Sequence, residues 1–461
     1  MIRTTLMKHQ KTIFKFTKNL PYFGIFAGFG TGKSLCALKF IDYHNIRISI
    51  IVSTKTSIQC TWPQEIEKHT DFKYKILVGT RKQKLTELYM GLRLSRAPYN
   101  PYHQNERPKI VFLVNFDGVK NIYNELLQCD PGFLVVDEST RIKSAKALRT
   151  RVLWALGNDV ERKCIMTGFP VTENMVDLYS QIKFLDNGET LGNSHYGFVH
   201  KYFARAGHQK FARKKSVKEI LTKIKPFCIR VSNKVLDLPP KVYEQIRIPP
   251  TKQQEELFDE LNNYFRLQLG KVNIKTEYIF TLTNKCLEIC DGYVKDKEGN
   301  LAKVDTKKDE VLIDLLEDLD VTRNKVIIWC AFLFSINKLY KILKKLGYHP
   351  VKLVGATKNT EKAVNKFMHT SKYNILLATQ LKAAESITLT NCKYAIYYSN
   401  TWSHDKRSNS EARIYRKGAE KHKHVIYIDL LVDGSVEESI LECLKKKKKL
   451  VSVLMKQFSG I

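Results

Sequence analysis

Eight residues near the start of the chain, AGFGTGKS from Ala27 to Ser34, have the types and spacing to hold a polyphosphate. Gly28, Gly30 and Gly32 let backbone N–H groups, that of Thr31 among them, turn inward around phosphate oxygens. Lys33 then reaches toward the β- and γ-phosphates, and Ser34 offers a hydroxyl to a magnesium ion. The apolar run Tyr22 to Phe26 before the loop reads as a strand and LCALKFI after it as a helix. That helix brings its positive dipole end to the same phosphates. A glycine turn in an ordinary α/β unit is the plainer reading of the loop alone.

A second chemical feature follows roughly a hundred residues later, where the apolar run from Phe133 to Val136 ends in Asp137 and Glu138. In phosphoryl transfer one such carboxylate holds magnesium through water and the next orients the attacking water. Far along the chain, NSEARIYRKG places Arg413 and Arg416 three apart, a spacing that shares one helix face. Arginines so placed stabilise charge on a transferring phosphoryl group. A surface salt-bridge pair is the plainer reading.

The elements that must position these groups are legible as buried runs. ISIIVST, IVFLVNF and KCIMT read as strands covered on both faces of a parallel sheet. Thr54 and Lys55 stand at the carboxyl end of the first, the edge where open α/β sheets bind ligands. They suit a contact with a nucleic-acid phosphate, or equally a capped helix start before Trp62. Arg81 to Lys109, with PYNPY, reads as a loop or insertion. Residues 251–320 read as helices. KVIIWCAF, INKLYKILKKLG closed by Gly347, and NILLATQ then form a second α/β pattern without a second glycine-rich loop. GSVEESILE opens a last helix with Ser435 and Glu438 as a capping box. The lysines from 445 to 449 either meet phosphates or form a solvated face.

Composition narrows the partners. The 461 residues carry 77 Lys and Arg against 46 Asp and Glu, a formal charge of +31, which points to a polyanion, nucleic acid first. A basic surface kept for solubility is the alternative. From 195 to 230 basic residues alternate with Tyr202, Phe203 and Phe211, as on a nucleic-acid surface or on a pair of solvated amphipathic helices. The first residues lack a signal-peptide layout, and no apolar run reaches the ~18 residues of a membrane helix. A cytoplasmic protein, in the host cytoplasm if phage-encoded, is expected. Ten cysteines form no CxxC pair, and Cys286 and Cys290 lack zinc partners, so reduced buried thiols are expected.

In this order the motifs resemble those of superfamily 2 helicases and translocases of the Swi/Snf type. AGFGTGKS stands as motif I with Ala27 for the first glycine, VVDESTRIKS as motif II, MTGFPVTEN as motif III, and DLYSQIKFL after it. ATQLKAAESITLT resembles motif V, with Ala383, Ala384 and Ser386 where glycines are usual. NSEARIYRKGA resembles motif VI, with Asn409 and Ala419 in place of glutamines. Ser139, Thr140 and Phe169 are further departures. The resemblance implies that Gln10 in LMKHQ reads the adenine edge, and that ATP and Mg2+ are used. It also implies that the second lobe contributes arginines to the first lobe's nucleotide. Lys143, Lys214, Lys215 and Lys382 become nucleic-acid candidates beside Thr54 and Lys55. The implied fold is α/β, two RecA-like parallel-sheet lobes at 1–235 and 236–461. The second is expected to carry a helical insertion at about 251–320 and a C-terminal brace helix. The implied activity is ATP-dependent translocation on duplex or branched DNA, in company with other replication or recombination proteins. An RNA or single-strand helicase, or a non-catalytic DNA-binding scaffold, is the alternative.

Overall fold

The computed structural model describes all residues except 29, 97–107, 173, 207–208, 213, 233–234, 270–275, 296–297, 356, 358, 381–386 and 458–461. Side chains of 96, 205–206, 209–212, 214–215, 262, 264–269, 276–280 and 449–457 are also outside the description. The chain divides into two compact units, Met1–Asp237 with Lys449–Ile461, and Leu238–Lys448.

In the first unit the strands are β1 (Tyr22–Ala27), β2 (Ile48–Ser53), β3 (Lys73–Leu77), β4 (Ile110–Asn115), β5 (Phe133–Asp137) and β6 (Lys163–Thr167). A hairpin, β7 (Phe203–Ala206) and β8 (Gln209–Ala212), precedes β9 (Cys228–Val231). Seven strands pair in parallel in the order β3-β4-β2-β5-β6-β1-β9. Alternate residues of one strand serve opposite cores: Ile110, Phe112 and Val114 face one, Val111 and Leu113 the other. That two-sided burial is why these strands read as unbroken apolar runs. Gly24 is required in β1, since a Cβ there would lie 2.8 Å from Cys228 Sγ.

In the second unit the strands are β10 (Lys241–Ile248), a hairpin of β11 (Tyr293–Lys295) and β12 (Leu301–Lys303), then β13 (Val326–Cys330), β14 (Val351–Leu353), β15 (Ile375–Thr379), β16 (Tyr394–Tyr397) and β17 (Val425–Val432). Six of them pair in parallel as β10-β17-β16-β13-β15-β14, again between two cores. Two parallel sheets with helices on their faces are the α/β class read from the sequence. Among the described residues no helix is long and apolar enough to cross a membrane.

Four local expectations are corrected. Arg81–Arg96 is a helix, not a loop: Leu88 is fully buried, Leu85 and Leu92 join the same core, and Gly91 lets the helix lie against Phe112. Its apolar face is only three leucines wide, so polar composition hid it. The basic segment near 205 holds the β7–β8 ribbon, not only helices, and the span 251–320 holds the β11–β12 hairpin as well as helices. The capping box is not formed: Ser435 Oγ accepts from the Glu437 N–H, and Glu438 turns to Arg247.

Glu437 instead enters a buried ionic cluster. Lys308 Nζ donates to Glu437 Oε1 at 2.6 Å and to Asp291 Oδ1 at 3.4 Å, while Ser335 and Ser399 hydroxyls donate to Asp291 Oδ2 at 2.6 and 2.8 Å. The cluster ties the helices Thr276–Cys290, Lys308–Asp318, Leu333–Lys345 and Val436–Gln457 to the end of β16. Burial pushes both carboxyls up, with Lys308 opposing; the two carboxylates in turn hold Lys308 above its ordinary value. Lys308→Met leaves both carboxylates buried without their cation, which costs about 3–5 kcal/mol near neutral pH. With the cation gone their folded pKa values stand further above the unfolded ones, so the variant is most stable in acid and weakens as pH rises. Thermal unfolding should show a gap from the parent that narrows from about pH 7 toward pH 5. A variant matching the parent at neutral pH would refute the cluster's role.

Candidate nucleotide site and nucleic-acid contacts

β1 delivers the chain into the loop that precedes the helix Lys33–Tyr43, and two glycines make the turn: Gly30 at φ +78° and Gly32 at φ +74°. Both angles are costly for any residue with a Cβ. Thr31 is buried and closes the loop on itself, its hydroxyl donating to Gly28 O at 2.8 Å. The Gly28 N–H donates to Val231 O of β9 at 3.1 Å, anchoring the loop to the sheet. Lys33 Nζ rests on the carbonyls of Ala27 at 2.7 Å and Gly28 at 3.3 Å. Ser34, partly exposed, stands in the first turn behind it.

The helix Lys8–Thr17 closes on the apex of this loop. Gln10 Nε2 donates to Thr31 O at 3.1 Å while its Oε1 accepts from the Met7 N–H at 2.9 Å. His9 Nε2 shares the same Thr31 carbonyl at 2.9 Å and, facing an acceptor, carries its proton there. A Cβ at Gly32 would come within 2.2 Å of Gln10 Nε2, so glycine also makes room for the glutamine.

β6 lies between β1 and β5, so Asp137 emerges at the carboxyl edge one strand from the loop. Its Oδ2 accepts from Ser53 Oγ at 3.0 Å and Trp62 Nε1 at 3.1 Å; its Oδ1 accepts from the Glu138 N–H at 3.0 Å. Burial pushes Asp137 above the usual carboxylate value, and Lys33 followed by these donors pulls it back. Glu138 adopts a left-handed conformation, φ 55° and ψ 52°, and opens the short turn Ser139–Ile142. Sequence reading missed Ser53 and Trp62; a buried serine ending β2 and the tryptophan eight residues after Thr54 were the available signals.

The residues after Asp137 are tied to those after β6. Ser139 Oγ donates to Gln181 Oε1 at 2.7 Å, and Gln181 Nε2 donates to Pro170 O at 2.7 Å. Lys143 Nζ donates to Thr172 Oγ1 at 2.7 Å, and Thr172 donates to Asp177 Oδ2 from both N–H and hydroxyl. Thr54 caps: its Oγ1 accepts from the Ser57 N–H at 3.3 Å, and Lys55 beside it is exposed. Lys214 and Lys215 open the helix Lys214–Ile224, but their side chains, like Lys382 altogether, lie outside the described residues.

In the second unit the helix His404–Ile414 ends before Arg416, so the two arginines do not share its face as expected. They converge nonetheless. Arg413, 1% exposed, and Arg416 each donate to Ile387 O at 3.4 Å, and Arg416 also donates to Thr388 Oγ1 at 2.9 Å. The helix is fastened by a group the sequence did not single out. Arg407 donates to Asp429 Oδ2 at 3.1 Å and to Glu411 Oε1 at 3.0 Å and stacks 3.4 Å above the Tyr397 ring. Burial pushes Glu411 up, but Lys241, Arg407 and Lys448 outweigh it and hold it well below the usual carboxylate range.

A model of the SNF2-related domain matches residues 5–304, and one of the helicase conserved C-terminal domain matches residues 307–418. The chain belongs to the SNF2-related family. A probable ATP-dependent DNA helicase of Arabidopsis thaliana, CHR23, is 22% identical over 93% of this chain and 41% of its own. The DNA repair and recombination protein RDH54 of Saccharomyces cerevisiae is 22% identical over 73% of this chain and 39% of its own. The chain thus spans about two fifths of the length of these relatives. Protein p41 of Acyrthosiphon pisum secondary endosymbiont phage 1 is 20% identical over 97% of both. Among solved structures, the Sulfolobus solfataricus SWI2/SNF2 ATPase core in complex with dsDNA is 19% identical with a TM-score of 0.42, over 99% of this chain and 94% of that one.

Within this SNF2-related chain the oxygen donors suit magnesium. A serine hydroxyl and one carboxylate fit a hard cation that takes its remaining ligands from water and phosphates. Among the described residues no group of three His, Cys, Asp or Glu side chains could hold a metal ion. Glu138 holds a backbone conformation that costs about 1–2 kcal/mol with a Cβ present. Glycine relieves that strain but loses about 0.5–1 kcal/mol to unfolded-state entropy. Glu138→Gly should therefore unfold no earlier than the parent, and Glu138→Ala should show no such compensation. Melting curves of the three chains test this; an earlier transition in the glycine variant alone would remove the strain argument.

Proposed function

We propose that this protein hydrolyses ATP in response to DNA, moves along the duplex, and acts at branched DNA in recombination, repair or replication. The observation that carries the nucleotide chemistry is the Asp137 carboxylate, held by three donors one strand away from a glycine-turned loop bearing Lys33. Lys33 leaves the carbonyls of Ala27 and Gly28 for phosphate oxygens. Ser34 and Asp137 are the donors for Mg2+, which neutralises charge on the phosphates. Glu138 orients the attacking water and accepts its proton. Gln10 holds the loop through Thr31 and reads the adenine edge. Arg413 and Arg416 give up the Ile387 carbonyl to stabilise charge on the transferring phosphoryl group.

Support for DNA as the partner comes from the family, from the name of the RDH54 relative, and from the +31 charge. Such a charge favours contacts with the phosphate backbone, which are independent of sequence and sensitive to salt. Thr54, Lys55 and Lys143 are the proposed contacts, with Lys214, Lys215 and Lys382. Backbone tracking alone separates no strands. At a mobile junction each step exchanges one base pair for another, so the net pairing cost is near zero and ATP need only supply direction.

The residue roles separate in kinetics. Glu138→Gln should keep nucleotide binding and lose turnover. Arg416→Ala should cut turnover ~10³-fold or more with DNA affinity retained. Normal DNA-stimulated turnover in the arginine variant would make Arg416 structural. The substrate claim is tested with synthetic DNA. The protein should convert a mobile four-way junction with ATP, fail to do so as Lys33→Ala, and act weakly on a tailed duplex of equal length. Efficient unwinding of the tailed duplex with no action on the junction would favour a single-strand helicase.

A further inference from the structure

Between the exposed Lys55 and the buried Trp62 the helix is not α throughout. Ser57–Thr61 is a π-helical turn, closed by the Trp62 N–H on the Ser57 carbonyl, five residues back. Such turns carry one residue more than the α-helix accommodates and are frequent at functional sites. The turn is pinned at its start by Thr54, whose hydroxyl accepts from the Ser57 N–H and whose carbonyl accepts from the Ile58 N–H at 3.0 Å. It continues directly into the helix Trp62–His69, and Trp62 is 1% exposed. The indole N–H ends on Asp137 Oδ2, the oxygen that Ser53 also serves.

We infer that Trp62 is a positioning residue that transmits the state of the Thr54–Lys55 helix start to the Asp137 carboxylate through the π turn. The inference rests on the proposed roles of that helix start with nucleic acid and of Asp137 with the nucleotide. The π turn supplies the two-state element that coupling between sites requires. Relaxing its i to i+5 bond to the α-helical i to i+4 register rotates everything beyond it by about 100° and carries the indole off Asp137. A phosphate drawn to Lys55 and the Thr54 backbone acts at one end of this lever. At the other end the carboxylate gains or loses one of its three donors, and with it the orientation in which it faces a cation. Ser53 holds the same oxygen from β2 and lies off the lever, so two donors to one atom have different tasks.

The full chain tests this with a short blunt duplex. Trp62→Phe keeps the ring and removes the donor. It should bind the duplex as the parent does, yet the ratio of turnover with duplex to turnover without should fall about tenfold, the size of one hydrogen bond to a charged group. Ser53→Ala removes the other donor and should lower both rates together, leaving the ratio unchanged. A second readout needs no turnover. The chain has four tryptophans, so the emission difference between the parent and Trp62→Phe isolates Trp62. That difference should change when duplex is added without nucleotide. Thr54→Val frees the start of the π turn while keeping Trp62, and should lose both the emission response and the stimulation at saturating duplex. Equal stimulation in the parent and Trp62→Phe, or Trp62 emission indifferent to bound duplex, overturns the relay. A parent that binds duplex but is not stimulated by it refutes the motor reading instead, and the emission response then decides the relay alone.

Discussion

The first unit is built around one carboxylate placed where burial disfavours its charged form. Asp137 ends a strand with neighbours on both sides, and burial pushes its pKa upward. Against that desolvation stand the Lys33 ammonium, an indole N–H, a hydroxyl and a backbone N–H, which reduce the upward shift. The contributors arrive on separate elements: the donors Ser53 on β2 and Trp62 on the helix after it, and the Lys33 charge behind the loop. Placing β6 alone between β1 and β5 brings the lysine and the carboxylate to the same edge, where open parallel sheets bind ligands.

The second unit solves a related problem with buried pairs. Arg407, on the helix that leads into Arg413 and Arg416, bridges Glu411 of the same helix and Asp429 of β17. Lys308 bridges Asp291 and Glu437 where four helices meet the end of β16. Such clusters are a weak source of stability compared with apolar packing, but their geometry is exacting. The Arg407 group fixes its helix in rotation and register, and so sets where Arg413 and Arg416 meet the Ile387 carbonyl.

Local pattern and tertiary context disagreed where the apolar signal was thin. The helix Arg81–Arg96 presents three leucines to the core and charge elsewhere, so its composition reads as a loop. Ser435 and Glu438 have the spacing of a capping box, yet Arg247 draws Glu438 away and the serine caps Glu437. In each case a partner distant in sequence outbid the local hydrogen bond or supplied the missing burial.

The amino-acid sequence by itself determined the chemistry available and the order in which it is presented. Strands buried on both faces must be nearly all apolar, and a tight loop favours glycine where φ is positive. Those demands are local, and AGFGTGKS, the run ending in Asp137, and KVIIWC show them directly. Only the tertiary structure decided which groups answer one another. Trp62 and Ser53 stand 75 and 84 positions from the carboxylate they serve, and Arg407 22 positions from Asp429. The left-handed turn at Glu138 is equally invisible in a strand-ending acidic pair. Hydrogen bonds act over about 3 Å, and no spacing rule along a chain states which distant atoms the sheet will bring that close.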